Sequence, residues 1–432
     1  MGLAKQQPEP VVVVLVVVLA PVVVGLEPLL DLVGLVGLVL ARRVRLLRPF
    51  LVELKGSPMK REILVPRIDW PRKVEELGFH FHTIDGVYWD ERACYRFTSA
   101  QVDKLELATG ELQSRCIDAC TRVIERGDYG RFRIPEAFIP LIEQSWNDDE
   151  KSLFGRFDIS WDGTGEPKML EYNADTPTAL LEASVVQWYW LQDVFPGHDQ
   201  FNSIHERLIE RWKQMAADLP ADRIVHFTCV TDSAEDQGNL DYLRDTATQA
   251  GIDARPIDIA DIGWDGSLFR DLEERPITAL FKLYPWEWMA REEFGQHLLA
   301  RTVRVIEPAW KMLLSNKAIL PVLWEMFPGH PNLLPAYFEP GKFATDFVKK
   351  PLYSREGANV SITTGGRTLE EPGEYGEEGF IWQGYHPLPS FDGNYTVIGS
   401  WIVGEEPAGI GIREDSSPIT KNTSRFLPHH FT

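Results

Sequence analysis

The sequence is poor in cysteine, in basic charge and in phosphate-loop signatures, and each shortage removes a class of protein. Its 432 residues include four cysteines, Cys94, Cys116, Cys120 and Cys229. They form no CxxC pair and no zinc-ligand spacing, so neither a zinc ribbon nor a disulfide scaffold is expected, and a reducing, cytoplasmic compartment is. Cys116 and Cys120 stand four apart on an expected helix, where packing is the ordinary use of such a pair. Lys and Arg total 44 against 64 Asp and Glu, a formal net charge of −20. A nucleic-acid backbone calls for a basic face, so this balance argues against such a partner. The surplus of carboxylates suits a cationic substrate such as a polyamine; solubility is its plainer use. No GxxxxGK[ST] occurs and no GxGxxG follows an expected strand, so neither a Walker A loop nor a dinucleotide fold is expected. Internal repeats and long polar linkers are missing as well.

The composition that remains is that of a globular protein, with 44% hydrophobic and 25% charged residues. The length allows one large domain or two to three packed together. Residues 1–58 stand apart, being nearly all Val, Leu, Gly and Arg, with Phe50 as their one aromatic. A membrane span needs an apolar stretch of about 20 residues. Here Pro21 and Gly25 break the first run, Glu27 and Asp31 follow, and the piece before Arg42, Arg43, Arg45 and Arg48 is too short. There is no basic start beyond Lys5 and no cleavage pattern. The expectation is that the fold begins at Met59, where MKREILVPR opens like a soluble protein, and that the leader is mis-assigned translation. A membrane anchor is the alternative, which the interruptions argue against.

From Met59 onward the pattern alternates. A helix is expected over Ser99–Arg126, with Ser99 as its N-cap and Leu105, Leu107, Leu112, Cys116 and Cys120 at helical spacing. Residues 136–150, 179–194 and 204–219 also read as helices. Residues 154–161, 168–173 and 223–230 read as strands, the first two joined by the turn DGTGEP. Beyond Asn316 the chain is strand-rich with glycine loops (SREGANV, TTGGR, GEEPAG), so the expected class shifts from α/β to α+β along the chain.

The stretch FGRFDISWDGTGEPKMLEYNADTP holds the most chemistry. Arg156 and Asp158 are two apart, as are Glu171 and Asn173, so each pair shares a strand face. If 162–167 form the turn, Trp161 pairs with Lys168, Asp158 lies opposite Glu171, and Arg156 opposite Asn173. Two facing carboxylates repel unless something compensates. A divalent cation does so naturally: Asp, Glu and an Asn carbonyl are hard oxygen ligands suited to Mg²⁺ shared with phosphate. Arg156 beside them suits a phosphate or a developing oxyanion. A solvated face carrying an Arg–carboxylate ion pair is the alternative, and the flanking Phe154, Phe157, Trp161, Met169, Leu170 and Tyr172 argue against a fully wet hairpin.

RxD followed by ExN on the next strand, with EYNADTP continuing into a helix, resembles the synthetase domain of glutathionylspermidine synthases, and more closely their stand-alone bacterial relatives, the acid–amine ligases. The resemblance runs from about Ile63 to the C-terminus. It implies a mixed α/β and α+β chain, a pre-ATP-grasp domain with ATP-grasp lobes interleaved over 59–432. It implies that Asp158, Glu171 and Asn173 hold Mg²⁺ and that Arg156 binds ATP and stabilises the transferring phosphoryl group. Such enzymes clamp ATP between two lobes with a lysine from each of two strands; NKAILP supplies Lys317 and FVKKPLYSREGANV supplies Lys350. Gly357 in the following loop can close over phosphates through backbone N–H groups. WQGYHPLP resembles the adenine-contacting segment, which implies Gln383 and Tyr385. GIGIRED resembles a late strand whose arginine meets the phosphates, which implies Arg413.

The substrate side matches less well. DSAED resembles the place where carboxylates meet the amine, implying Glu235 and Asp236; a solvated loop is the alternative. FKLYPWEWM has Leu283 where the family pattern has a glutathione-holding threonine, and Thr176 stands where a serine is expected. The reaction type therefore carries over and glutathione does not. The separate amidase domain of bifunctional family members has no counterpart in this sequence. The expected activity is ATP-dependent joining of a carboxylic acid, small or peptide, to an amine, with a polyamine as one candidate, through an acyl phosphate. Its rivals are an ATP-binding protein of this fold acting as a sensor or slow ATPase, and a metal-dependent hydrolase using Asp158 and Glu171.

Overall fold

The computed structural model describes residues 57–84, 86–421 and 424–432. The expected leader falls on residues 1–56 outside the described residues, apart from Ser57 and Pro58. Among the described residues no helix is long and apolar enough to cross a membrane.

The strands in chain order are β1 (Lys60–Ile63), β2 (Ala93–Phe97), β3 (Phe154–Ser160), β4 (Lys168–Asn173), β5 (Ile224–Cys229), β6 (Asp253–Asp258), β7 (Gly263–Trp264), β8 (Phe269–Arg270), β9 (Ala279–Leu283) and β10 (Arg304–Ile306). They continue as β11 (Ala336–Tyr337), β12 (Phe347–Pro351), β13 (Ser361–Thr364), β14 (Arg367–Glu370), β15 (Phe380–Gly384), β16 (Ser390–Phe391), β17 (Asn394–Val403), β18 (Glu406–Asp415), β19 (Arg425–Leu427) and β20 (His429–Phe431). A parallel sheet of order β10-β9-β5-β6 packs on the helices Ile204–Met215 and Ala234–Gln249 through Phe227, Phe281, Trp212 and Leu243, the α/β part of the chain. Two antiparallel sheets carry most of the site. One sheet runs β19-β18-β17-β3-β4 with β16 beside β17, and another runs β11-β15-β12-β13-β14. A three-stranded sheet β1-β2-β20 and the hairpin β7-β8 complete the set. The shift from α/β to α+β is therefore present.

The helix Ser99–Arg126 lays Leu105, Leu112, Cys116 and Cys120 against Phe157, Ile159, Tyr172 and Ile398 of the β3-containing sheet. Both cysteines are free and buried, as packing requires. Leu107 is exposed, because it lies two residues past Leu105 and off that stripe. The cap is Thr98, not Ser99: its Oγ1 accepts from Gln101 N, and the Gln101 side chain accepts from Thr98 N at 2.9 Å, a reciprocal pair that fixes the helix start. The expected helix over 136–150 is a 3₁₀ turn, Glu136–Phe138, leading into Ile139–Asn147, where Pro140 sits in the first turn. The expected helix over 179–194 opens with a π turn, Glu182–Val186, before Gln187–Val194. The helix from Ile204 ends at Met215, short of 219.

Candidate active site

The β3–β4 hairpin pairs Arg156 with Asn173 and Asp158 with Glu171, the expected register at all four polar residues. It slips beyond them. Ser160, not Trp161, lies opposite Lys168, because Leu170 is bulged between Met169 and Glu171. The bulge has a use: the Leu170 carbonyl accepts from Lys350 Nζ at 2.8 Å.

Cationic groups crowd these carboxylates. Arg156 Nε donates to Asp158 Oδ1 at 2.8 Å, and Arg413 Nη2 reaches Asp158 Oδ2 at 2.8 Å from β18. Arg156 Nη1 is also held by the Thr178 carbonyl at 2.7 Å. Gly399, opposite Asp158 on β17, makes this possible: a Cβ there would lie 2.7 Å from Arg156 Cδ. Lys317 Nζ sits 3.3 Å from Glu171 Oε2 and donates to the Ser354 carbonyl at 2.8 Å. Burial opposes ionisation of Glu171, but Lys317 and Lys350 beside it more than offset that and bring its carboxyl down to about 2. Burial pushes the Lys350 amine down to about 8, against the pull of Glu171. Its neighbour Lys349 points to the other face of β12, with its ammonium 3.8 Å from the Phe380 ring centroid.

Two clefts meet at this hairpin. The first is lined by Lys350, Gln383 and Tyr385 with Val348, Val360 and Ile362, a largely apolar slot with a few polar groups. Gln383 lies opposite Val348 in the β12–β15 pairing, so that sheet forms the slot's floor. The second is polar and holds Arg156, Asn173, Thr176, Glu235, Asp236 and Arg413. Asp158, Glu171, Gly357 and Thr420 belong to both. Gly357 has φ +74°, and a Cβ on it would lie 2.6 Å from Ile419 Cγ2 and 2.7 Å from the Thr420 carbonyl, so only glycine lets this loop press against 419–420. Every residue expected in the site except Lys317 lines one cleft or the other, and Lys317 reaches it through Glu171.

Glu235 and Asp236 are not on a solvated loop. They occupy the first turn of Ala234–Gln249, where Ser233 Oγ caps the Asp236 amide. Burial raises the carboxyls of both, Asp236 to about 6. Thr176 Oγ1 accepts from Arg355 at 2.7 Å, and Arg355 also donates to Glu287 at 3.0 Å. Arg355 escaped the sequence reading although it lies in the SREGANV loop quoted for its glycine. Two other groups were missed. Asp175 accepts from Lys282 Nζ at 2.5 Å and from the Trp286 amide at 2.9 Å, tying the EYNAD segment to β9. Glu182, fully buried, accepts from Tyr88 OH at 2.7 Å. The signal for Glu182 was a charged residue inside the apolar run ALLEASVV; Asp175, in the polar stretch YNADTPT, had none of that kind.

The donor set fits a hard divalent cation. Asp158, Glu171 and Asn173 bring oxygen to one cleft wall, with Asp158 paired to Arg156 and Arg413 and Glu171 keeping 26% of its side-chain surface open, and the four residues the clefts share carry no sulfur or imidazole.

A mixed slot joined to a polar cleft at the β3–β4 hairpin fits the ATP-grasp class, although only Lys350 comes from a strand, β12; Lys317, expected on a second strand, lies in the turn before the helix Ile319–Met326. A family description, "Glutathionylspermidine synthase preATP-grasp", matches residues 61–432, and the chain belongs to that family. It is 44% identical over 393 residues to a Haemophilus influenzae protein named "Putative acid--amine ligase", covering 86% of this chain and 100% of that one. It is 31% identical to the trypanothione synthetase of Crithidia fasciculata, over 73% of this chain and 53% of that protein. It is 28% identical to the bifunctional glutathionylspermidine synthetase/amidase of Escherichia coli, over 77% of this chain and 58% of that protein. The chain thus spans little more than half the length of the last two. A solved glutathione synthetase-like effector of Globodera pallida superposes with a TM-score of 0.53 at 9% identity, over 84% of this chain and 96% of that one, a likeness of fold.

Proposed function

We propose that the chain is an ADP-forming ligase that joins a carboxylic acid, small or peptide, to an amine. The observation that carries this reading is the meeting of the two clefts at Asp158, Glu171 and Gly357. In this reading the base of ATP lies over Gln383 and Tyr385, and its phosphates extend past Lys350 and Lys317 toward Arg413. Asp158, Glu171 and Asn173 would hold Mg²⁺, which would supply charge neutralisation to the phosphate oxygens. The substrate carboxylate attacks the γ-phosphorus, giving an acyl phosphate and ADP. The amine, uncharged at the reacting nitrogen, then attacks the acyl carbon; the C–O bond to phosphate breaks, and the departing phosphate takes up the proton lost from nitrogen as the amide forms. Arg156 is oriented beforehand by Asp158 and the Thr178 carbonyl, so its charge meets the moving phosphoryl group without reorganisation. Glu235 and Asp236 on the polar wall suit a cationic amine, a polyamine being one candidate, and Thr176 faces the same space.

The test is a screen of the purified protein with ATP, MgCl₂ and a cell metabolite extract, read by mass spectrometry. The expected result is an ATP-dependent amide whose mass equals acid plus amine less water, formed together with ADP. Nucleotide binding without any amide would favour a sensor or slow ATPase of this fold. No nucleotide binding would favour the hydrolase.

A further inference from the structure

The polar cleft has two unlike sides. Glu235 and Asp236 stand on one, at the start of their helix after β5. Leu283, Tyr284, Pro285 and Trp288 stand on the other, at the C-terminal end of β9, with Trp288 37% exposed. Behind that apolar side lies a separate cavity of about 450 Å³, a volume within the range of small-molecule sites. Its walls include Ile262, Phe269, Leu280, Met289, Leu298 and Val303. Only Glu292 and the Tyr284 hydroxyl are polar side-chain groups in its lining, and they hydrogen-bond to each other. Tyr284 belongs to the wall of both spaces and packs edge-on against Trp288, ring centroids 5.3 Å apart. Ile259 and Tyr284 directly follow β6 and β9 while Val303 directly precedes β10, so the cavity runs along the parallel sheet and its Tyr284 end lies at the C-terminal edge, where open α/β sheets take ligands.

We propose that this cavity is the subsite for the organic part of the acid, which is a carboxylate with an apolar tail. This rests on the ligase reading. The acidic side of the cleft attracts the amine and repels a carboxylate, so the acid enters from the opposite side. That side carries Leu283, Tyr284, Pro285 and Trp288, with the Arg355 guanidinium 5.8 Å from the Trp288 ring centroid to favour a carboxylate, and Tyr284 is the wall it shares with the apolar space. Its carboxyl group lies at Arg156 and its tail is buried beyond Tyr284, where each added methylene that leaves water strengthens binding.

Titration calorimetry with butyrate, hexanoate, octanoate and decanoate, with and without ATP analogue and MgCl₂, tests the assignment. Affinity is expected to rise at least tenfold from butyrate to octanoate, as several newly buried methylenes require. Leu280→Trp should fill the cavity and abolish the rise while nucleotide affinity stays unchanged. Val303→Phe, at a half-buried wall position, provides a second filling variant in case the first fails to fold. Affinity independent of chain length, with nucleotide binding intact, overturns the subsite and leaves the ligase reading standing. A rise that both filled variants retain overturns it too. Chain-length-dependent binding in a protein that binds no nucleotide overturns the ligase reading and, with it, the tail's placement behind a reacting carboxyl.

Discussion

Arg156 and Lys350 differ in what their loss should do, and the difference follows from their partners. Removing Arg156 leaves Asp158 paired with Arg413 at 2.8 Å, so no buried carboxylate is orphaned. In the proposed ligase reading, ground-state nucleotide contacts remain with Lys317, Lys350 and Arg413. Arg156→Ala is therefore expected to leave ATP affinity nearly unchanged and to lower turnover by roughly 100-fold or more, the scale of a cation acting on a transferring phosphoryl group. Normal turnover per folded molecule, with a lowered melting temperature, would instead mark Arg156 as an ion-pair partner only. Lys350→Ala should weaken ATP binding roughly tenfold or more, the scale of a charge-assisted hydrogen bond. Lys349→Ala should change it little, since Lys349 lies against Phe380 on the other face. Equal effects would sink that assignment. With Lys350 pushed down to about 8 by burial, the free protein sheds this proton above pH 8 and must regain it to meet phosphate. ATP affinity should accordingly fall above pH 8, and the fall should vanish in Lys350→Ala.

At the scale of elements, the hairpin was legible because its two polar pairs sum to one register and strands alternate faces. The Leu170 bulge was not, because its cause is a lysine 180 residues further along the chain that needs that carbonyl. The cap at Thr98 was within reach, since Gln101 three residues on completes a capping box that Ser99 cannot make. The π turn Glu182–Val186 has no local signature; its role appears only in three dimensions, where it places Glu182 against Tyr88 beneath the polar cleft. Burial, and then the Glu235 carboxylate, raise Glu182 to about 8. A carboxyl raised above its unfolded value keeps a proton that the unfolded chain has lost, so stability declines as pH rises from the ordinary carboxyl range toward 8. Glu182→Gln keeps the neutral shape and the acceptor for Tyr88. Its melting temperature should fall less than that of the wild type between pH 5 and 8.5; parallel curves would show that Glu182 does not titrate in that window.

For the molecule as a whole, the composition break and the described contacts predict different outcomes for two truncations a few residues apart. Residues 1–58 read from composition as outside the fold, and the family match begins at 61. The described chain engages the core at once: the Ser57 carbonyl accepts from Gln101 Nε2 at 2.9 Å, Met59 N donates to the Asp162 carbonyl at 2.7 Å, and Met59 is 1% exposed. Gly163, with φ +94°, has no room for a Cβ, which would lie 2.4 Å from Met59 N and 2.5 Å from Gln101 Nε2. The turn that joins β3 to β4 is thus clamped between Met59 and the start of the long helix. Deleting residues 1–56 should leave a folded, nucleotide-binding protein. Deleting 1–59 removes a buried side chain and two hydrogen bonds, a loss on the order of 3 kcal/mol. It also frees the turn of the hairpin on which Asp158 and Glu171 face each other. The longer deletion should lower the melting temperature by several degrees and reduce turnover more than nucleotide affinity, because positioning fails before binding does. Denaturation curves and nucleotide titrations on both truncations make the comparison. Aggregation of the shorter deletion beside a soluble full-length chain would show that residues 1–56 belong to the fold, and identical behaviour of the two would show that Met59 clamps nothing.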